Sequence, residues 1–164
     1  TITNPRRKLA EWTVRQFVAQ AIHRMHRGLP NARKLKELRS HATATKYGCS
    51  ADQVPRQWEA FLVELQRRIN EDPRKLCAWV EYEMRFRIHP LADGSGRLAT
   101  ALTAWLMSRA GRAIPPYAYL SRDDLHSALR SGREAFAAHY ERVCFGDPEE
   151  IARPGPNPPE AAVA

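Results

Sequence analysis

The segment Ile88-His89-Pro90-Leu91-Ala92-Asp93-Gly94-Ser95-Gly96-Arg97 gathers, in one short stretch, the groups needed to act on a phosphate. His89 titrates near neutrality and can take a proton from an attacking hydroxyl. Asp93 is a hard oxygen ligand of the kind magnesium uses, in ones or twos, beside substrate phosphates. Gly94-Ser95-Gly96 can present consecutive backbone N–H groups to an anion, because glycine permits close approach and unusual dihedrals. Arg97 adds a planar fork of donors that matches phosphate oxygens. Taken singly, each has an ordinary explanation: a turn, a helix-end histidine, a capping aspartate, a surface arginine. Their concentration in one segment is what points to phosphate transfer.

The elements that must hold this segment are helices. Leu9, Trp12, Phe17, Val18, Ala21, Ile22 and Met25 recur at helical spacing, and Gly28-Leu29-Pro30 ends that run. Leu35–Cys49 is basic and weakly periodic, with His41–Thr45 readable as a short strand or a loop. Pro55 opens a helix whose apolar stripe is Trp58, Phe61, Leu62, Leu65 and Ile69, and Asn70-Glu71-Asp72-Pro73 closes it. A third helix is expected from about Arg74 to Arg87, carrying Leu76, Cys77, Trp79, Val80 and Met84. Pro90 disfavours helical geometry at the residue before it, which places His89 at a helix exit. Leu98–Ala110 is nearly uncharged and apolar on most sides, as befits the centre of a bundle, and Gly111 stops it. Pro115-Pro116 marks a loop. Ser121 suits the N-cap of Arg122–Arg130, with Asp123 and Asp124 in its first turn, and a last helix presents Phe136, Tyr140 and Val143 on one face. An all-α bundle is the expected fold class, with a single domain over residues 1–146 and a Pro-rich disordered tail over 147–164.

Bulk composition narrows the classes. A chain of 164 residues with 43% hydrophobic content supports one globular core. No apolar run reaches membrane-spanning length and no signal-peptide pattern opens the chain, so no membrane partner is expected. The three cysteines, Cys49, Cys77 and Cys144, are odd in number and widely spaced, so they read as buried thiols rather than a disulfide or zinc framework. A cytoplasmic setting follows, with a secreted effector left open. Net charge is +8, which invites a nucleic-acid reading, but the basic residues are scattered and form no recognition signature. Solvated helix faces and attraction of an anionic substrate account for them better.

The His89–Arg97 segment resembles the motif of the Fic-domain family, usually written His-Pro-Phe-x-Asp/Glu-Gly-Asn-Gly/Lys-Arg. The approach from Ala78 to Ile88 is similar to the family's preceding helix, and the likeness extends over about Leu35 to Val143. The resemblance implies a Fic-like helical bundle with a small β-hairpin flap, here Leu38–Thr45, that aligns a target chain by strand-like pairing. It implies a nucleotidyltransferase of the AMPylation (adenylyltransferase) type. His89 would be the general base, Asp93 the Mg²⁺ ligand, Gly94, Ser95 and Gly96 the anion hole, and Arg97 the grip on the donor's diphosphate. The donor would be ATP or another nucleotide or phosphate donor, and the acceptor a hydroxyl of a target protein or small molecule. The family's inhibitory pattern, Ser/Thr-x-x-x-Glu-Gly/Asn, is not found, so any inhibition would come from a missing segment or a partner protein.

Three positions depart from the family's pattern. Leu91 replaces the Phe and loses ring volume. Ser95 replaces the Asn and shortens the side chain. Thr100 stands where many nucleotide-using members carry a second Arg toward the terminal phosphate, which weakens the case for ATP or requires a different grip on it. These departures keep a second reading open, a Fic-fold module that binds a nucleotide or protein without turnover. A third, a basic nucleic-acid binder, rests on charge alone and is not expected. His23 and His26 on the first helix read as a packed or surface pair rather than metal ligands. Trp12, Trp58, Trp79 and Trp105 read as core, and Tyr117 and Tyr119 as packing or the flank of a base pocket.

Overall fold

Thr13 and Gln16 begin the first helix by satisfying each other's backbone. The Gln16 N–H donates to the Thr13 hydroxyl and the Thr13 N–H donates to the Gln16 amide oxygen at 2.9 Å. This capping box sets the start of α1 (Val14–Met25), later than the periodicity beginning at Leu9 suggested. The computed structural model describes residues 12–42, 47–114 and 122–146, with only the backbone for 122–125. Leu9, the segment Thr43–Thr45, Pro115-Pro116, Tyr117, Tyr119, Ser121 and the tail over 147–164 lie outside the described residues, and the side chains of Asp123 and Asp124 do as well.

Within the described residues the fold is all-α. After α1 come the short α2 (Ala32–Leu35), a single 3₁₀ turn (Ala51–Gln53) and α3 (Val54–Arg68) with Pro55 in its first turn. Then follow α4 (Pro73–Tyr82), a π turn (Glu83–Ile88), α5 (Ser95–Arg109), α6 (Arg122–Arg130) and α7 (Arg133–Phe145). The expected helix from Arg74 to Arg87 is therefore two geometries in series. Asp72 caps its start, accepting the Arg74 N–H at 3.0 Å, and from Glu83 the turns widen to the i→i−5 pattern, with His89 N–H donating to the Met84 carbonyl at 3.1 Å.

The hairpin flap expected at Leu38–Thr45 is not formed by the described part of that segment. Residues 38–42 contain no strand, and the only pairing is one isolated antiparallel bridge between Leu38 and Leu91. Its partner lies in the motif loop rather than in a second flap strand.

Helix α4 packs between α5 and α7, and α1 lies against α3 and α5. Leu76, Cys77 and Val80 of α4 and Met84 of the π turn share one buried core with Leu98, Leu102, Trp105 and Leu106 of α5. Trp58 and Trp105 are buried, while Trp12 and Trp79 pack against the core from its edge. Phe17 stacks on Trp105 at 4.7 Å, and Arg68 covers Trp79 at 4.7 Å. On α7 the buried face is Phe136, Tyr140 and Cys144, an i, i+4, i+8 row, with Val143 only half-buried. Glu83 is buried in the π turn and ion-pairs with Arg87 and, at 2.7 Å, with Arg133 of α7, which also lies over the Tyr82 ring at 5.4 Å. That pairing fastens α7 to the helix that ends at His89. All three cysteines are free; burial pushes the Cys77 thiol up and the Cys144 thiol up to about 12. No helix among the described residues is long and apolar enough to cross a membrane.

Candidate active site

His89 leaves the π turn with φ of 51°, in the left-handed region. Pro90 removes the right-handed helical option, and histidine is among the side chains that tolerate the alternative. The ring folds back so that Nδ1 meets the Arg85 carbonyl at 3.4 Å. A carbonyl only accepts, so Nδ1 carries the hydrogen of this bond and the lone pair of the neutral ring lies on Nε2. His89 is half-buried. Burial is the largest influence on its pKa and lowers it below 6.5, the nearby Arg39 and Arg85 charges lower it further, and the Arg85 carbonyl opposes them. The ring therefore stays neutral to lower pH than a free histidine. An NMR titration of the His89 ring is expected to give a midpoint below 6.5; a midpoint at or above that value would contradict the buried environment. The effect on folding has a definite sign. The folded state binds this proton less tightly than the unfolded chain. His89 thus costs no stability above pH 6.5, begins to cost it as pH falls through 6.5, and costs it fully below its folded pKa.

The backbone that carries His89 is held by Arg39, which is only 3% exposed. Its guanidinium donates to the carbonyls of His89 (2.9 Å), His41 (2.8 Å), Cys49 (2.6 Å) and Ile88 (3.1 Å). Its backbone N–H donates to the Pro90 carbonyl at 2.8 Å, beside the Leu38–Leu91 bridge. A helix end leaves carbonyls without intrahelical donors and carries partial negative charge, so a buried cation is stabilised there even with no carboxylate partner among the described residues. The Gly48 N–H adds a bond to the Phe86 carbonyl at 2.8 Å. Nothing in the spacing of the basic stretch marked Arg39. Its partners lie up to 50 residues away, and an arginine in a run of charged residues reads as solvated.

Past His89 the loop turns into α5. Gly94 is the N-cap, with φ of 90°, and a Cβ there would stand 3.2 Å from Met25 Cε and 3.5 Å from His26 Nε2. The first i→i−4 bond of α5 runs from the Leu98 N–H to the Gly94 carbonyl at 2.8 Å. The N–H groups of Ser95, Gly96 and Arg97 precede it with no side-chain cap among the described residues, and Gly96 and Arg97 line the cleft, so the helix terminus there favours an anion. The Ser95 side chain is turned inward: its hydroxyl accepts the Leu91 N–H at 2.9 Å and donates to the Leu91 carbonyl at 3.2 Å. Ser95 thus closes the loop with its side chain and offers a ligand only its backbone. Leu91 is fully buried and anchors the loop in the core, although it lacks the ring volume of Phe.

A cleft of about 710 Å³ opens over this terminus, lined by Arg85, Asp93, Gly94, Gly96, Arg97 and Thr100. It brings together Asp93, Gly94, Gly96 and Arg97 of the expected site. His89 and Ser95 do not line it; His89 connects to it through the Arg85 carbonyl. Asp93 is the one carboxylate among the described lining residues, and its Oδ2 accepts from Arg97 Nη2 at 2.6 Å. Both side chains are more than half exposed, so the pair stabilises the fold by about 1 kcal/mol or less and opens readily. No group of three His, Cys, Asp or Glu side chains that could enclose a metal occurs among the described residues. Asp93 alone can therefore bind a divalent ion only as one ligand among waters and phosphate oxygens, a donor set that suits magnesium.

His23 and His26 part company. His26 is fully buried, with Nδ1 3.0 Å from the Ile22 carbonyl and Nε2 3.3 Å from the Asp93 carbonyl, so it steadies the loop from behind. His23 lies near Lys36 Nζ at 3.2 Å. Scanned against models of protein families, the chain matches none, and a search of curated proteins finds no match.

Proposed function

We propose that the chain is a Fic-like nucleotidyltransferase, moving AMP or a related nucleotide or phosphate-containing group from a donor such as ATP onto a hydroxyl of a protein or small molecule. The observation that carries this reading is the placement of the His89 ring, half-buried at a helix exit with Nδ1 on the Arg85 carbonyl. It is fixed by its Nδ1 hydrogen so that Nε2 can accept a proton, one residue contact away from an uncapped helix terminus flanked by arginines. In the reaction, His89 Nε2 takes the acceptor's hydroxyl proton as the oxygen bonds to the donor's α-phosphorus. The bond from that phosphorus to the leaving diphosphate breaks. The N–H groups of Gly96 and Arg97 and the Arg97 guanidinium hold the phosphate oxygens on which charge develops. Asp93 would hold magnesium jointly with those phosphates, and the ion would offset their charge. The Asp93–Arg97 pair must separate for both roles, which its exposure makes inexpensive.

Incubating the full chain with a panel of nucleotide donors and cell lysate, then reading product masses, tests the proposal. A mass increment matching one nucleotide or phosphate unit on a hydroxyl supports it and names the group. Nucleotide binding without any product would favour a second reading, a holding module without turnover. The mutual engagement of Asp93 and Arg97 is the feature that speaks for it.

A further inference from the structure

Arg85 reaches across from the π turn to the first turn of α5. Its Nε–H donates to Glu81, which is fully buried, and its Nη2 donates to the Gly96 carbonyl at 3.0 Å and to the Thr100 hydroxyl at 2.9 Å. Thr100 in turn donates to the Gly96 carbonyl at 3.2 Å, so one hydroxyl both receives the guanidinium and is itself oriented. Gly96 leaves the room: a Cβ on it would stand 2.5 Å from Arg85 Nη1. Three residues are thus committed to placing one guanidinium. A guanidinium carries five N–H donors. The Nε–H and the two on Nη2 are engaged, while Nη1 has no acceptor among the described residues. The side chain is 22% exposed and lines the cleft together with Arg97.

We infer that Arg85 is a second phosphate-binding residue of this cleft, seated by Thr100 and Glu81. With Arg97 it selects ligands carrying two or more linked phosphates over monophosphates. The inference rests on the reading of the cleft as a phosphate site and adds to it a residue and a selectivity. The Arg97 fork and the Nη1 of Arg85, two separate cations at one helix terminus, match the separated charges of a diphosphate or triphosphate chain, whereas a single phosphate can engage only one of them fully.

The test is calorimetric titration of the full chain with pyrophosphate, ADP and AMP, each with magnesium. Removing Arg85 alone would strand a buried carboxylate, so the main variant is Glu81→Gln with Arg85→Gln, and Arg85→Lys is its companion. Pyrophosphate and ADP should bind the variants roughly ten- to a hundredfold more weakly, the usual cost of a lost charge-assisted bond, with AMP much less affected. Thr100→Val should give a smaller loss of the same kind. A readout without substitution is the Arg85 Nε resonance, which should move on adding pyrophosphate to the unaltered chain. If pyrophosphate binds but that resonance is still and the folded variants bind as before, the role of Arg85 is overturned and the phosphate site stands. If the unaltered chain binds none of the three, the phosphate-site reading fails and the inference fails with it.

Discussion

Exchanging His89 for asparagine is expected to slow group transfer by roughly 10²- to 10⁴-fold, the usual range for losing a positioned general base. Asparagine is chosen because His89 has φ of 51° and asparagine tolerates that region, so the helix exit is kept while the proton acceptor is removed. Alanine should lose the same activity but add a backbone penalty of roughly 1–2 kcal/mol, because its Cβ is strained in the left-handed conformation. Initial rates of label incorporation, with melting temperatures alongside, separate these effects. An asparagine variant that transfers at the original rate would end the assignment of His89 as base.

Removing Arg39 should be the most damaging single change outside the core. Arg39→Leu leaves the carbonyls of His41, Cys49, Ile88 and His89 without this donor, and water can reach such a buried site only in part. Each orphaned acceptor costs about 1–3 kcal/mol. A net loss of about 3 kcal/mol is expected after partial hydration, or roughly 6–12 °C in melting temperature for a chain of this length. Arg39→Lys should recover only part, since a single ammonium cannot reach four carbonyls as a fork does. A second measurement distinguishes positioning from mere stability. Burial lowers the His89 pKa most and the Arg39 charge adds to it, so in the lysine variant the His89 titration should stay low, while in a folded leucine variant it should rise by the smaller part that the charge supplies. Leucine and arginine chains with equal melting temperatures and equal His89 titrations would show that the latch does nothing.

Short-range signals were the ones legible in the sequence. The apolar stripe of Trp58, Phe61, Leu62 and Leu65 marked α3, and the nearly uncharged run after Arg97 marked α5 as central, because both depend only on helical period. Pro90 placed His89 at a helix exit, again through a local dihedral preference, whereas α5 begins at Ser95, ahead of the expected start at Leu98. What escaped depends on contacts between distant residues. Arg39 stood unmarked in the basic stretch Leu35–Cys49, and only its 50-residue return to His89 makes it a latch. Thr100 read as the loss of a cation, whereas the structure has it receiving Arg85 from another helix. Ser95 read as a shortened side chain in the anion hole, and the structure turns its hydroxyl to the Leu91 N–H and carbonyl. The flap expected at Leu38–Thr45 reduced, in its described part, to one bridge whose partner is Leu91.

A π turn is an α-helix carrying one residue too many, and the turn at Glu83–Ile88 fixes the length of this part of the chain. Excising any one of those residues would let the ladder close to the ordinary α pattern and swing everything after it by about 100° around the axis. Arg85 would no longer face Thr100, and the carbonyls now gathered on Arg39 would point elsewhere. Substitutions here can be gradual, each touching one contact. A change of length cannot, because it breaks the latch and the cleft wall in a single step. Chains descended from a common ancestor and sharing this site should therefore vary in residue identity between Glu83 and Ile88 far more readily than in residue number.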